Sequence, residues 1–244
     1  MLEGMYTAAA GMAAQQDRLD AVAEDLANVN TTGYKHARLA FRDLVYSNGT
    51  TGQPNVRLGA GAAATSLARS GAQGVLHETG EPLDIALQGP GFLAVRTASG
   101  QAALTRDGQL RIDDRGRLTT STGELLDPPI TVPSGTDPQD VAIASDGTVS
   151  VAGSKVGAIR ILTVTAPGGL AGAENNLFLP TAASGAPAAA PSTTRIEQGA
   201  LEASNVDMAD AMTSMIEAQR AFELASKAIE VQDQMLQIAN QVKR

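Results

Sequence analysis

The chain of 244 residues has no cysteine. That excludes disulfides, thiol catalysis and zinc–thiolate sites and leaves the redox compartment open. Aromatic residues are scarce at 3%, against 43% hydrophobic residues overall, so any core must be built mainly from aliphatic side chains and alanine. No apolar run reaches the roughly 18 residues that a membrane-spanning helix needs. No basic start followed by an unbroken apolar stretch marks a cleavable secretory signal. Taken alone, these features point to the cytoplasm. Clustered basic residues are also missing. The net charge is −8, with five acids and two bases in residues 1–36, eight acids and four bases in residues 196–244, and near balance between them. Acidity placed on the two ends argues against nucleic acid and against an anionic membrane surface as partners.

The inventory of reactive groups is equally thin. The two histidines, His36 and His77, show no ligand spacing, so surface roles are expected rather than metal binding. Gly59-Ala60-Gly61 and Gly89-Pro90-Gly91 neither continue to Gly-Lys-Ser/Thr nor open a helix after a strand, which makes them turns and not phosphate loops. Asp113 and Asp114 are adjacent; strand neighbours point to opposite faces, so a hairpin turn suits them better than a catalytic pair. Gly-x-Ser-x-Gly is missing, and Ser70-Gly71 has no evident base. No enzyme activity, cofactor or metal is expected.

What the chain does have is long periodic ends. Met208, Met215, Phe222, Ile229 and Leu236 recur every seven residues, with Ala211, Ala218, Ala225, Gln232 and Ala239 three positions on. Ser204 and Asp207 supply a helix-start signal. The pattern predicts about 36 helical residues, roughly 54 Å long, with a two-position heptad seam. At the other end Met5, Met12, Leu19 and Leu26 repeat the spacing, with Ala8, Gln15, Val22 and Val29 in the second position, up to Gly33. Seams this narrow suit packing between several chains better than a closed domain core, which needs a wider apolar face. Met5, Met12, Leu19, Val22, Leu26, Val29, Met208, Met215, Phe222, Ile229 and Leu236 are therefore the candidate subunit-interface residues.

Between the ends, residues 34–80 carry little regular pattern and read as an extended connector, with a turn-rich loop at Ser47-Asn48-Gly49-Thr50-Thr51-Gly52-Gln53-Pro54. Residues 81–165 alternate short apolar runs with turn signals at Asp107-Gly108, Asp114-Arg115-Gly116 and Asp146-Gly147, the pattern of a small sandwich or open barrel. Residues 166–203, with repeated Ala, Pro187 and Pro191, read as loop and linker. The expected fold class is α+β: long N- and C-terminal heptad helices (1–33 and 204–244) forming a helical unit, with an inserted all-β domain.

Two end motifs and one central pattern resemble a known family. Gly11-Met12-Ala13-Ala14-Gln15-Gln16 through Leu26-Ala27-Asn28-Val29-Asn30-Thr31-Thr32-Gly33-Tyr34-Lys35 is similar to the N-terminal motif of bacterial flagellar rod and hook proteins. Ala200-Leu201-Glu202-Ala203-Ser204-Asn205-Val206-Asp207 and Met215-Ile216-Glu217-Ala218-Gln219-Arg220-Ala221-Phe222 resemble their C-terminal motif. Gly89-Pro90-Gly91-Phe92, Thr105-Arg106-Asp107-Gly108 and Ser145-Asp146-Gly147-Thr148-Val149 resemble their β-domain pattern. Gln219-Arg220-Ala221-Phe222 and Asn176-Leu177-Phe178-Leu179-Pro180 favour the distal rod type over its proximal sister, although the connector after Tyr46 is shorter than that type usually has.

The resemblance implies a structural subunit that self-assembles into a helical tube in the basal body and transmits torque. Its implied partners are copies of itself, other rod and hook proteins, the flagellar type III export apparatus, and the surrounding rings. It also implies export beyond the inner membrane without a cleaved signal. Two other readings of the residues stay open: a closed coiled-coil oligomer with a β head, and a cell-wall glycan hydrolase using two carboxylates across a cleft.

Overall fold

The computed structural model describes residues 2–47 and 57–242. The turn-rich loop lies outside the described residues from Asn48 on, as do some side chains within described elements, Leu236 among them. The chain divides into two compact units, Met1–Ala27 with Ala37–Leu67 and Asp207–Arg244, and Asn28–His36 with Ala68–Val206.

The first unit holds helix α1 (Leu2–Ala27), helix α2 (Met208–Val242) and a two-stranded sheet of Ala37–Ser47 and Arg57–Arg69. Alanine-rich stretches free of proline favour both helices. The side chain of Asp207 caps α2, accepting from the Ala209 and Asp210 N–H groups at 2.8 and 3.2 Å; Ser204 instead accepts from Val206. The two helices pack on each other through small residues. Ala14, Ala211 and Ala218 are all buried, and short side chains allow helix backbones a close approach. Arg18 and Glu217 bridge the pair at 2.9 Å, an exposed contact worth about 0–1 kcal/mol. The sheet covers another side of α1. A Cβ at Gly61 would stand 2.8 Å from that of Ala10. Asp25, buried in the last turns of α1, accepts from the Ala37 N–H at 3.1 Å.

These findings correct the expected fold class. The described residues contain two α-helices only, and they share their unit with a two-stranded sheet, so the ends do not form an all-helical unit. Nor is either helix organised by a heptad seam: on α2 the expected seam residues Met208 and Phe222 are exposed, and α1 departs from the pattern as well. Its most buried residues, Ala14, Val22 and Asp25, stand eight and three positions apart. A straight helix turns once in about 3.6 residues, so a strict seven-residue stripe drifts around it. Covering α1 from two sides then widens the buried face beyond two positions. The class is α+β, with most of its strands in the second unit.

That second unit is larger than the small sandwich or open barrel expected for residues 81–165. Its main sheet has nine strands. Seven run in the spatial order Ala171–Ala173, Leu177–Leu179, Ala102–Thr105, Phe92–Arg96, Leu125–Leu126, Leu118–Thr120, Leu110–Ile112. Ile161–Thr163 pairs with Phe92–Arg96 and with Ala188–Ala189 off this path. Val141–Ile143, Thr148–Val151 and Ser154–Ala158 form a separate three-stranded meander. Every strand pair with a determined register is antiparallel.

The core joins side chains from both sheets, Leu93, Val95, Leu118 and Leu126 from the large one, Val141 and Val149 from the meander. A second cluster centres on Phe92 and Phe178, whose rings lie 5.5 Å apart. The strand leaving for this body and the strand returning from it pair twice. Leu76–Glu78 pairs with Ala200–Glu202, and Ile85–Gln88 pairs with Arg195–Gln198. The first pairing, Glu202 opposite Leu76, sets the register of the junction described next.

Candidate functional site

The three motifs that carry the family resemblance converge on one buried carboxylate. Glu202 ends the returning strand Ala200–Glu202, with its side chain 1% exposed. Its Oε1 stands 2.5 Å from Nζ of Lys35, and its Oε2 2.7 Å from an Nη of Arg106. Both cations are almost wholly buried. The Gly74 N–H donates to the same carboxylate at 2.8 Å. Lys35 also donates to the Ala72 carbonyl, and Arg106 to those of Leu87 and Gly89. Arg106 further lies over the Phe92 ring, 5.6 Å from its centre.

The backbone locks around this cluster. The Gly33 N–H donates to the Glu202 carbonyl at 2.8 Å. The His36 N–H donates to the side-chain oxygen of Asn205 at 2.7 Å, and the Asn205 amide donates to Ala72. Thr32 and Ser121 both donate to the Asp107 carboxylate, at 2.8 and 2.9 Å. Gly33 has φ +66°, and a Cβ there would come within 2.4 Å of the Arg106 carbonyl carbon. Only glycine fits that approach without strain.

Two cations share one carboxylate in a site almost closed to water. Burial pushes the Lys35 ammonium below its usual range. The hydrogen bond and attraction from Glu202 oppose the fall, and the neighbouring Arg106 charge adds to it. Charges removed from water are stable only when paired and hydrogen-bonded, and each partner here is held by at least one further bond. The arrangement is suited to locking three chain segments together, not to turnover.

The sequence quoted Lys35, Arg106 and Glu202 only as letters of motifs. Charged residues separated by this much chain give no local signal that they will meet. Asp107-Gly108, read as a hairpin signal, is not a turn tip: a Cβ at Gly108 would lie 1.7 Å from the Ile85 carbonyl oxygen, so the glycine permits two segments to cross. Asp113 does close a hairpin, accepting from the Arg115 and Arg117 N–H groups and pairing with the Arg117 side chain. Among the described residues, no group of three or more His, Asp or Glu could hold a metal ion, and no helix is long and apolar enough to cross a membrane.

The candidate interface residues lie as follows. Val22 is buried; Met5, Met12, Leu19 and Leu26 on α1 are half-buried, as is Val29 beyond its end. On α2, Met215 and Ile229 are half-buried, whereas Met208 and Phe222 are exposed. A different set carries the largest exposed apolar surface. Ile216, Leu224, Val231, Met235 and Ile238 are all at least 48% exposed, and helical spacing puts them on the half of α2 opposite Ala211 and Ala218.

Three family profiles match the chain in order. Flagella basal body rod protein matches residues 5–35, the flagellar hook protein FlgE/F/G D1 domain matches 86–151, and the flagellar basal body rod FlgEFG protein C-terminal region matches 197–242. Lys35, Arg106 and Glu202 fall one in each. The flagellar basal-body rod protein FlgG of Caulobacter vibrioides is 38% identical over 263 aligned positions, covering 99% of this chain and all of the relative.

The chain belongs to the flagellar basal-body rod protein family.

FlgG of Borreliella burgdorferi is also 38% identical, over the full length of both chains. A second rod type, FlgF of Mesorhizobium japonicum, is 33% identical over 91% of this chain and 90% of its own. The buried junction is therefore a structural feature of a rod protein, built where the three matched regions meet in space.

Proposed function

We propose that the chain is a structural subunit of the flagellar rod, of the distal FlgG type, which assembles with copies of itself into a helical tube and transmits torque. Full-length similarity to FlgG chains supports the distal type. The observation that carries self-assembly is the row of exposed apolar side chains on the outer half of α2, from Ile216 to Ile238, interleaved there with charged residues such as Arg220 and Lys227. An apolar stripe of that length on a chain's surface marks a site of association. Met5, Met12, Leu19, Val22, Leu26, Val29, Met208, Met215, Phe222, Ile229 and Leu236 are proposed as further contacts, with neighbours competing for the half-buried members.

Other rod and hook proteins are the flanking partners in this reading, the export apparatus delivers the chain, and the basal-body rings surround it. Its work is mechanical and calls for no active site. A non-closing head-to-tail contact gives an open helical tube, whereas closed symmetry gives a discrete particle. Electron microscopy of concentrated protein decides between them. Tubes are the expected result; uniform closed trimers would support the coiled-coil oligomer instead.

A further inference from the structure

Beside the buried junction, and within the same unit, lies a cavity of about 50 Å³, large enough for a few waters or one small anion. Lys35, Arg69 and Arg106 all line it, and no Asp or Glu does. Ser70 and Thr163 contribute hydroxyl-bearing side chains, and Phe92 and Phe178 an apolar wall. Two observations point to a missing anion. Lys35 and Arg106 share the single carboxylate of Glu202, and Arg69 brings a third cation to the cavity lining. The Nε of Arg106 is buried and has no hydrogen-bond partner among the described residues. An unmet donor on a buried cation is costly, and a charge-assisted bond to an oxyanion is the strongest way to meet it.

We propose that this cavity binds a small oxyanion such as phosphate, held by Arg106, Lys35 and Arg69 against the aromatic wall. Guanidinium groups match the planar pairs of oxygens that oxyanions present. Nothing in this inference depends on the chain's place in the rod.

The test uses the ¹⁵N-labelled full-length chain, dilute and verified as monomeric, titrated with sodium phosphate at constant ionic strength set by sodium chloride. Saturable amide shifts confined to Ser70, Gly91 and their neighbours are expected, with half-saturation at about 1 mM. Arg69→Gln is expected to weaken the response about tenfold. A second variant guards against misfolding of the first. A Cβ at Gly71 would meet nothing within 4 Å, so Gly71→Asp has room to fold. Its tethered carboxylate is expected to occupy the mouth of the cavity and abolish the phosphate response. Shifts that are linear and spread over the surface, or saturation that Gly71→Asp leaves unchanged, would overturn the proposal.

Discussion

Lys35 and Glu202 stand 167 positions apart in the chain, yet their side chains meet at 2.5 Å in a site where neither is more than 4% exposed. With Arg106 on the other carboxylate oxygen, the pairing is two cations to one anion. The two ends of the ion pair therefore respond differently to removal. Glu202→Ala leaves two buried cations facing each other and is expected to cost about 3–5 kcal/mol. Lys35→Met keeps one balanced pair and removes an ammonium that burial already disfavours, so its cost is expected at about 1–2 kcal/mol. Chemical denaturation followed at the second unit measures both. Equal losses for the two variants would show that the charge balance of the junction does not govern its stability.

Gly33 makes a sharper test of the geometry. Its φ of +66° alone makes a side chain cost about 1–3 kcal/mol. The Arg106 carbonyl carbon, 2.4 Å from the position of a Cβ, adds a steric clash with backbone. Gly100 has a similar φ of +82° with nothing within 4 Å. Gly100→Ala is thus expected to lose only the conformational part, about 1 kcal/mol, and Gly33→Ala clearly more. Measured stabilities in the order Gly33→Ala below Gly100→Ala below the parent chain support the close approach. Two equal losses contradict it.

Three carboxylates contribute to the acid sensitivity of the second unit. Burial pushes Glu124 up, but hydrogen bonds from Thr120, Thr122 and Asn175 outweigh it and hold the group below its usual value. Backbone N–H bonds from Arg117 and Thr148, respectively, lower Asp113 and Asp146. Each group has a lower pKa folded than unfolded. Between the two values the unfolded chain binds more protons, so stability rises with pH there. The contribution is complete above the unfolded values, near 4, and is lost as pH falls through the folded ones. Hydrogen-exchange protection at residues 92–96 and 118–120, relative to the intrinsic rate at each pH, is expected to fall progressively below about pH 4, with a shallower dependence in Glu124→Gln. Protection unchanged from pH 5 to 2.5 would contradict the assignment.

Assembly and folding are expected to separate on α2. Val231 is 48% exposed on the outer half of the helix, and Phe222 is 38% exposed. Burying such side chains against a neighbour is worth roughly 1.5–3 kcal/mol each, repeated in every subunit. Val231→Asp and Phe222→Asp are expected to abolish tube formation while residues 81–165 melt as in the parent chain, and Glu223→Gln is expected to be mild. Normal assembly by both charged variants would remove α2 from the interface. Melting of residues 81–165 in either would place the helix in that unit's core.

The sequence made some of this legible and hid the rest for physical reasons. Helices without proline and turns such as Asp146-Gly147 are local features, and both could be read from short windows. The strands within 166–203 could not, because Ala171-Gly172-Ala173 and Ala188-Ala189 have no alternation of apolar and polar residues. The Arg57–Arg69 strand is hidden by the same Gly and Ala composition. On α1 the periodic apolar residues suggested a seam, but periodicity cannot detect Asp25, a polar residue buried by its hydrogen bonding. The junction was hidden most completely. Its members are common charged residues, and their segments meet only through tertiary contacts such as the pairing of Leu76–Glu78 with Ala200–Glu202 and the Gly33 bond to Glu202.

The central claim is that the chain is a building block of the rod, and the most direct measurement is quantitative mass spectrometry of basal bodies purified from motile cells. The account predicts the chain in the rod fraction at a fixed, multi-copy ratio to the other axial proteins. It also predicts that cells producing only Val231→Asp lose the chain from that fraction and lose motility. Purified basal bodies that lack the chain, from cells that swim, would contradict it.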